Sequence, residues 1–178
     1  MTVRIVELSS RELGDRTHEV LDVYAEAMEV SASTARSRRG ILAAHLDRDG
    51  LRALAALDGE RMVGVAYGYL GAPGQWWHDQ VHAALTPEQA ADWLADAFEV
   101  CELHVRPALH GTGLGRSLLT ALLDGTTART AVLTTPDSDT RARRFYRSGG
   151  WTDLRSGLRF PGDPRLFAVL GLRLVSEA

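Results

Sequence analysis

Apolar residues recur along the chain with two different spacings, and these spacings predict an alternation of strands and helices. The predicted strands cover residues 3–8, 51–57, 62–70, 98–105 and 130–135, a segment that begins at Trp151, and residues 165–175. The predicted helices cover residues 17–30, 34–47, 86–96, 114–123 and 139–148. The resulting order, β-α-α-β-β-α-β-α-β-α-β-β, indicates one α/β domain over residues 1–178, a length that suits a single hydrophobic core.

Two short segments carry strong local signals. Asp58-Gly59 lies between two strand-like runs, which predicts a β-hairpin. The sequence Thr86-Pro87-Glu88-Gln89 combines a capping residue with a proline at the first helical position, which predicts the start of a helix.

The clearest functional signal lies in the segment from Cys101 to Leu119. A strand-like run ends at Val105, a proline follows, and helical spacing begins at Leu114. Around this boundary three alternate positions are glycine, namely Gly111, Gly113 and Gly115. Glycines at such a turn leave backbone N–H groups uncovered, and the helix N-terminus adds a partial positive charge. The segment therefore predicts a cradle for a phosphate or pyrophosphate, and the alternative is a connection that binds no ligand.

Two common nucleotide motifs fit this turn poorly. The dinucleotide fingerprint Gly-x-Gly-x-x-Gly, started at Gly111, would need a third glycine where the chain has Arg116. A P-loop needs a lysine, and all 20 basic residues of this chain are arginine. The phosphate that the turn binds must therefore be identified from another pattern.

The spacing His110-x-x-Gly113-x-Gly115 resembles the Arg/Gln-x-x-Gly-x-Gly/Ala turn of the GNAT superfamily of N-acetyltransferases. A strand that ends Leu103-x-Val105-x-Pro107 precedes the turn, as it usually does in that family. In the family this turn binds the pyrophosphate of acetyl-CoA. His110 departs from the usual Arg or Gln.

A second segment, from Asp139 to Trp151, resembles the Asn-x-x-Ala-x-x-Phe/Leu-Tyr-x-x-x-Gly-Phe/Trp signature of the same family. Asp139 stands where Asn is usual and is predicted to cap the helix. The helix is predicted to present one apolar face, formed by Ala142, Phe145 and Tyr146. Two such segments in the expected order are more specific than either one alone.

The resemblance implies a GNAT fold, in which helices flank both faces of a mixed, mostly antiparallel sheet of six to seven strands. It also implies acetyl-CoA as co-substrate, with the pantetheine arm along the strand Leu103–Val105 and the pyrophosphate on the glycine turn. The implied cofactor-binding residues are Leu103, His104, Val105, His110, Gly111, Thr112, Gly113, Leu114, Gly115, Arg116, Asp139 and Tyr146.

Direct acetyl transfer to an amine needs one group that accepts the amine proton and another that protonates the leaving thiolate. The resemblance assigns the second role to Tyr146. Glu99 and Glu102 are the candidates for the first role, directly or through water, and their odd spacing predicts opposite faces of the strand. Glu99 resembles in position the catalytic glutamate of histone-modifying members, and Glu102 could instead hold the acceptor. An ion pair with an arginine is the rival explanation for either carboxylate.

Two predicted helices carry clusters of arginine. The first cluster comprises Arg36, Arg38 and Arg39, and the second comprises Arg141, Arg143, Arg144 and Arg147. Both are predicted to be solvated surface charge. Alternatively, the first cluster contacts an acidic acceptor or the CoA 3′-phosphate. The alternative for the second cluster is a contact with the CoA phosphates.

The segment from Trp76 to His82 imitates a zinc-binding His-Glu-x-x-His helix, because His78 and His82 are four residues apart. Asp79 is shorter than the usual Glu, and no third ligand is apparent, so we predict no metal. The paired tryptophans are predicted to anchor this insertion on the core, or else to wall an acceptor pocket.

Composition narrows the class of protein. The formal net charge of −3 argues against general nucleic-acid binding, and no apolar run has transmembrane length. The N-terminus lacks an apolar signal region, so we expect a cytoplasmic protein. The single cysteine, Cys101, excludes an intrachain disulfide framework and is predicted to be a small core residue.

The sequence thus predicts an acetyl-CoA-dependent N-acetyltransferase that acts on a primary amine of a small molecule or peptide. The alternative is a non-catalytic domain that binds or senses acyl-CoA, since His110 and Asp139 depart from the family pattern. The expected partners are acetyl-CoA and an amine, without nucleic acid or membrane, and the family resemblance allows a homodimer.

Overall fold

The computed structural model describes residues 2–174, which form seven strands and eight α-helices. The strands are β1 (Val3–Leu8), β2 (Arg52–Asp58), β3 (Arg61–Leu70), β4 (Ala97–Val105), β5 (Thr130–Pro136), β6 (Thr152–Arg159) and β7 (Leu166–Arg173). The helices are α1 (Ser10–Asp15), α2 (Thr17–Met28), α3 (Ala32–Arg36), α4 (Arg39–His45), α5 (Trp76–Ala84), α6 (Pro87–Trp93), α7 (Leu114–Asp124) and α8 (Arg141–Ser148). Val175, the predicted end of the last strand, lies outside the described residues.

The strands form one sheet in the order β1-β2-β3-β4-β5-β7-β6. β4 and β5 run parallel, whereas β1–β2, β2–β3, β5–β7 and β6–β7 are antiparallel. The prediction of a mixed, mostly antiparallel sheet flanked by helices is therefore confirmed. No helix within residues 2–174 combines the length and the apolar character needed to cross a membrane.

Three helical segments differ from their prediction. The helix predicted over 34–47 is divided into α3 and α4, because the intervening residues Ser37 and Arg38 leave the regular helix. α1 was not predicted, although Ser9 and Glu12 form a capping box at its start. α5 lies in the insertion whose histidine spacing suggested a helix, although the predicted order of elements omits it, and Gln75 at its N-cap makes no side-chain capping bond.

The described residues group into two compact units, one within residues 2–69 and 100–126 and the other within 70–99 and 127–174. The core of the first unit brings together apolar side chains from β1, β2, β3, α1, α2 and α4, with Cys101 packed against it. Leu13, Val23, Met62 and Val65 are fully buried there. That the chain is a single domain stays a prediction.

The core of the second unit lies where α5 and α6 pack on β5 and β7. Val81, Ala90, Val132 and Val169 belong to it, and Trp77 covers it as a partly buried side chain. The parallel part of β4 pairs Glu99 with Val132, so β4 enters this unit through its first residues.

In the first unit, Arg52 ties β2 to the C-terminal end of α7. Its Nε donates a hydrogen bond of 3.2 Å to the carbonyl oxygen of Leu122, and its guanidinium lies 3.0 Å from the carboxylate of Glu7. A cation at the last carbonyls of a helix satisfies acceptors that have no intrahelical partner. It also interacts favourably with the negative end of the helix dipole. This contact fixes the far end of the helix that follows the glycine turn.

We expect Gly171→Ala to destabilise the fold and Gly40→Ala to leave it unharmed. A Cβ at Gly171 in β7 would lie 2.6 Å from the indole of Trp93 and 2.9 Å from Leu154. Overpacking of this kind costs about 1–3 kcal/mol. A Cβ at Gly40 in α4 would meet no atom within 4 Å, and alanine favours a helix by about 0.5–1 kcal/mol. Thermal unfolding checks both, and equal melting temperatures for the two variants would contradict the packing at Gly171.

Candidate functional site

The predicted glycine turn connects β4 to α7 through a short 3-10 turn, Pro107–Leu109. Gly111 has φ +77° and Gly113 has φ +87°, and both values lie in the left-handed region. A side chain at such a position strains the backbone, so glycine is needed at both. The residue pattern that predicted the turn is thus explained by its backbone geometry.

The space beside the turn is open. A Cβ built on Gly113 would meet no atom within 4 Å, and Gly113 occupies the N-cap of α7, where it makes no side-chain capping bond. The first turn of α7 contains no acidic residue. Because the first N–H groups of a helix have no intrahelical acceptor, a helix N-terminus that faces open space is a place where an anion can bind. Leu114, Gly115 and Arg116 in that turn are partly buried.

The side chains of the turn bond to the backbone that precedes it. His110 places Nε2 at 2.8 Å from the carbonyl oxygen of Val105, and a carbonyl only accepts, so Nε2–H is the donor. The hydroxyl of Thr112 donates to the carbonyl oxygen of Leu109 at 2.7 Å. The first bond holds the turn against the end of β4 and the second closes the turn on itself, which gives His110 a positioning role that the sequence did not indicate.

In the second unit, the N-cap of α8 lies one residue later than predicted. Thr140 has the extended backbone of an N-cap, and its side chain accepts from the N–H of Arg143 at 3.1 Å. Asp139 lies outside the helix, is exposed, and pairs with Arg144 at 2.7 Å. The prediction that Asp139 caps the helix is therefore wrong, because the neighbouring hydroxyl has the capping geometry.

The buried face of α8 also differs from its prediction. Tyr146 is buried against the edge of Trp151 at a ring distance of 5.5 Å, but Ala142 is exposed and Arg143 is buried instead. Arg143 pairs with Asp137 and, at 3.1 Å, with Asp153. These two carboxylates offset the cost of burying the guanidinium. The prediction of Arg143 as surface charge is wrong.

The two candidate carboxylates of β4 have different surroundings. Glu99 lies in the second unit and is buried, with 5% of its surface exposed. Glu102 lies in the first unit and accepts hydrogen bonds from Arg38 through one oxygen and from His104 through the other. The predicted rival explanation, an ion pair with an arginine, is thus present at Glu102.

Arg38 is not the solvated charge that the sequence predicted. Its side chain is about one third exposed, and its guanidinium lies 4.7 Å from the centre of the Tyr24 ring while it pairs with Glu102. Tyr24 in turn contacts the imidazole of His104 edge to face at 5.2 Å. These contacts form a single polar cluster in the first unit, which consists of Tyr24 on α2, Arg38 at the N-cap of α4, and Glu102 and His104 on β4.

This cluster surrounds a small cavity of about 10 Å³. Its lining residues are Val20, Leu21, Tyr24, Arg38, Ile41, Leu42, Tyr67, Glu102 and His104. Burial alone would raise the pKa of Glu102, but the hydrogen bond from His104 and the charges of His104 and Arg38 outweigh burial. The pKa of Glu102 therefore lies below its usual value, and the carboxylate is anionic at neutral pH.

The insertion at α5 is anchored by its tryptophans. The indole N–H of Trp77 donates to Thr134 at 3.1 Å, and Trp76 packs on Phe160 at a ring distance of 5.3 Å while remaining 56% exposed. His78 and His82 line an open groove of about 620 Å³ beside α6. Within residues 2–174 no group of three or more potential metal-ligating side chains occurs.

The sequence matches known proteins over most of its length. The model of the acetyltransferase (GNAT) family matches residues 17–151. The GCN5-like protein acetyltransferase Rv2170 of Mycobacterium tuberculosis is 36% identical over 204 residues, which cover 98% of this chain and 99% of that protein.

Solved structures share the fold. A protein of the GNAT family from Desulfovibrio desulfuricans superposes with a TM-score of 0.72 at 17% identity, with 98% of this chain and 100% of that chain covered. The YncA protein of Salmonella typhimurium, solved with acetyl-CoA, gives a TM-score of 0.67 at 16% identity, with 100% and 97% covered. The predicted family, fold and enzyme class are confirmed. The chain belongs to the acetyltransferase (GNAT) family.

Proposed function

We propose that this protein transfers the acetyl group of acetyl-CoA directly to a primary amine of a small molecule or peptide. The observation that carries the proposal is the open backbone at Gly113, where the N-terminus of α7 is available to a pyrophosphate. The binding of acetyl-CoA by the Salmonella typhimurium structure supports the choice of co-substrate. Family membership supports acetyl transfer as the reaction.

The proposed cofactor contacts are mainly backbone contacts. The N–H groups between His110 and Arg116 bind the pyrophosphate, and the strand edge at Leu103–Val105 pairs with the pantetheine arm. His110 contributes by holding the turn to Val105, as its hydrogen bond indicates. Asp139 is exposed, and its part in CoA binding remains a proposal that rests on the family resemblance.

The proposed chemistry forms one C–N bond and breaks one C–S bond. The acceptor loses a proton to Glu99 or Glu102, directly or through an intermediary, and its free amine attacks the thioester carbonyl. The thiolate of CoA leaves and takes a proton from Tyr146, and the second proton of the amine restores the Tyr146 hydroxyl. The products are an acetylated amine and free CoA.

The acceptor amine binds beside the ion pair of Glu102 and Arg38. Glu102 keeps its negative charge there, and the cavity also contains the aromatic side chains of Tyr24 and Tyr67. The Mycobacterium tuberculosis relative is named a protein acetyltransferase, which supports a peptide amine, either a lysine side chain or an amino terminus. The cytoplasm as the place of the reaction, and a homodimer, remain predictions.

Release of free thiol separates catalysis from acyl-CoA sensing. The protein is incubated with acetyl-CoA and a panel that contains blocked lysine peptides, peptides with free amino termini, and small polyamines. An acetyltransferase releases CoA with at least one acceptor, and mass spectrometry finds the acetylated product. Stabilisation by acetyl-CoA without thiol release from any amine would favour the sensing domain.

We expect Gly113→Val to abolish stabilisation by CoA. At a CoA concentration 100-fold above the dissociation constant, binding stabilises the fold by about 2.7 kcal/mol. The valine side chain would occupy the space over the N–H groups. Gly59→Val is the matched control, because Gly59 also has a left-handed φ and open surroundings but lies in the β2–β3 turn. Thermal shift should show stabilisation by CoA for the wild type and Gly59→Val only, and a normal shift for Gly113→Val would rule out the cradle.

We expect Tyr146→Phe to lower turnover with little change in CoA affinity. The substitution deletes only the hydroxyl and keeps the ring that packs on Trp151. Loss of general acid assistance lowers the rate by about 100- to 10,000-fold. Steady-state kinetics measures turnover, and thermal shift with CoA verifies binding. Undiminished turnover under conditions where the chemical step limits the rate would assign Tyr146 to packing alone.

A further inference from the structure

We infer that His104 is the group that takes the proton from the acceptor amine, with Glu102 as the positioning residue that holds its imidazole. The inference rests on the proposed acetyl transfer and names the intermediary through which Glu102 acts. The two residues are two positions apart in β4, so their side chains lie on the same face of the strand. Their hydrogen bond joins Nε2 of His104 to Oε2 of Glu102.

The hydrogen bond determines which imidazole nitrogen is basic. An ionised carboxylate only accepts, so Nε2 of neutral His104 carries the proton and donates it to Glu102. Nδ1 then holds the lone pair that can accept a proton. A carboxylate that orients a histidine in this way also stabilises the imidazolium that forms.

Glu102 itself is a poor proton acceptor. Arg38 binds its Oε1 while His104 binds its Oε2, so both oxygens are occupied. These contacts place the pKa of Glu102 below its ordinary value, so its carboxylate holds a proton weakly. A base whose pKa lies close to the working pH is the more effective one.

The surroundings of His104 are polar and contain both signs of charge. The titratable and charged groups that line its cavity are Glu102 on β4, Arg38 at the N-cap of α4, Tyr24 on α2 and Tyr67 on β3, and the other lining side chains are apolar. The guanidinium of Arg38 pairs with Glu102 and lies over the Tyr24 ring, so the charge of Glu102 is balanced within the cavity. A cavity of about 10 Å³ has the size that holds one water molecule, which can carry a proton from the acceptor amine to His104.

The proton and electron balance is complete without a further reagent. His104 takes one proton from R–NH₃⁺ and becomes imidazolium, and the lone pair of R–NH₂ forms the C–N bond. The C–S bond breaks and its electron pair leaves on sulfur. The thiolate takes a proton from Tyr146, and the second proton of the amine replaces that proton on Tyr146. His104 then releases its proton to solvent, so the net products are the acetylated amine, CoA–SH and one proton.

The test compares the pH dependence of kcat/KM for His104→Gln, Glu102→Gln and Glu99→Gln, using the amine of the panel with the highest wild-type turnover. Gln at position 104 can still donate to Glu102 but cannot accept a proton. His18→Gln is the matched control, since His18 lies exposed on α2 in an ion pair with Asp22. His104→Asn is a second variant, and thermal shift with CoA shows that each variant is folded and binds.

We expect the activity of the wild type to fall at acidic pH, because protonated His104 cannot accept a proton. His104→Gln and His104→Asn should lose about 100- to 10,000-fold in kcat/KM at pH 7. The pH dependence that remains in these variants should reflect only the deprotonation of the acceptor amine in solution. Glu102→Gln should lower kcat/KM, since a neutral side chain at position 102 does not stabilise the imidazolium that forms on His104. His18→Gln should match the wild type.

Three results would overturn the inference. His104→Gln and His104→Asn that bind CoA and keep kcat/KM within threefold of the wild type would do so while the proposed acetyl transfer stands. If the fall of kcat/KM at acidic pH disappears in Glu99→Gln alone, Glu99 is the base. If it disappears in Glu102→Gln while His104→Gln keeps the wild-type profile, Glu102 is the base. A wild type that acetylates no amine of the panel would reject the proposed function itself.

Discussion

The left-handed backbone at Gly111 and Gly113 sets where α7 starts, and the candidate cofactor site depends on that start. The turn reverses the chain after β4 and aims the first N–H groups of α7 into open space. Hydrogen bonds from His110 and Thr112 to the preceding carbonyls fix the near end of this arrangement, and Arg52 fixes the far end of the helix. A helix that is held at both ends keeps its dipole in one direction, as an anion site at its N-terminus requires.

Buried charge organises both units in a similar way. In the first unit Glu102 is held by Arg38 and His104, and in the second unit Arg143 is held by Asp137 and Asp153. The guanidinium group suits such positions because it remains charged when buried and donates in several directions. The chain has no lysine, so every buried or surface cation other than histidine has this planar geometry.

The sequence predicts the strands well, because β-prone runs and the Asp58-Gly59 turn are local signals. It omits α5 from the order of elements, since Gln75 at the N-cap of that helix makes no side-chain capping bond. It also joins α3 to α4, because spacing alone does not show where a helix breaks. The turn glycines are predictable because their backbone conformation demands glycine. The contact of Arg38 with Glu102 joins residues 64 positions apart, and only the packing of α2 and α4 against β4 brings it about. Capping by Thr140 rather than Asp139 is a difference of one residue that two good capping residues in a row leave open.

The contact of Arg52 with α7 links two distant positions of the chain. A Cβ at Gly125, just beyond the end of α7, would lie 1.8 Å from the guanidinium carbon of Arg52. Any side chain there would displace the guanidinium from Leu122 and Glu7 together. Positions 52 and 125 are therefore sterically coupled, because the guanidinium of Arg52 reaches the helix end only where residue 125 has no side chain. The connection between β2 and α7 thus depends on a glycine that contributes no side-chain contact of its own.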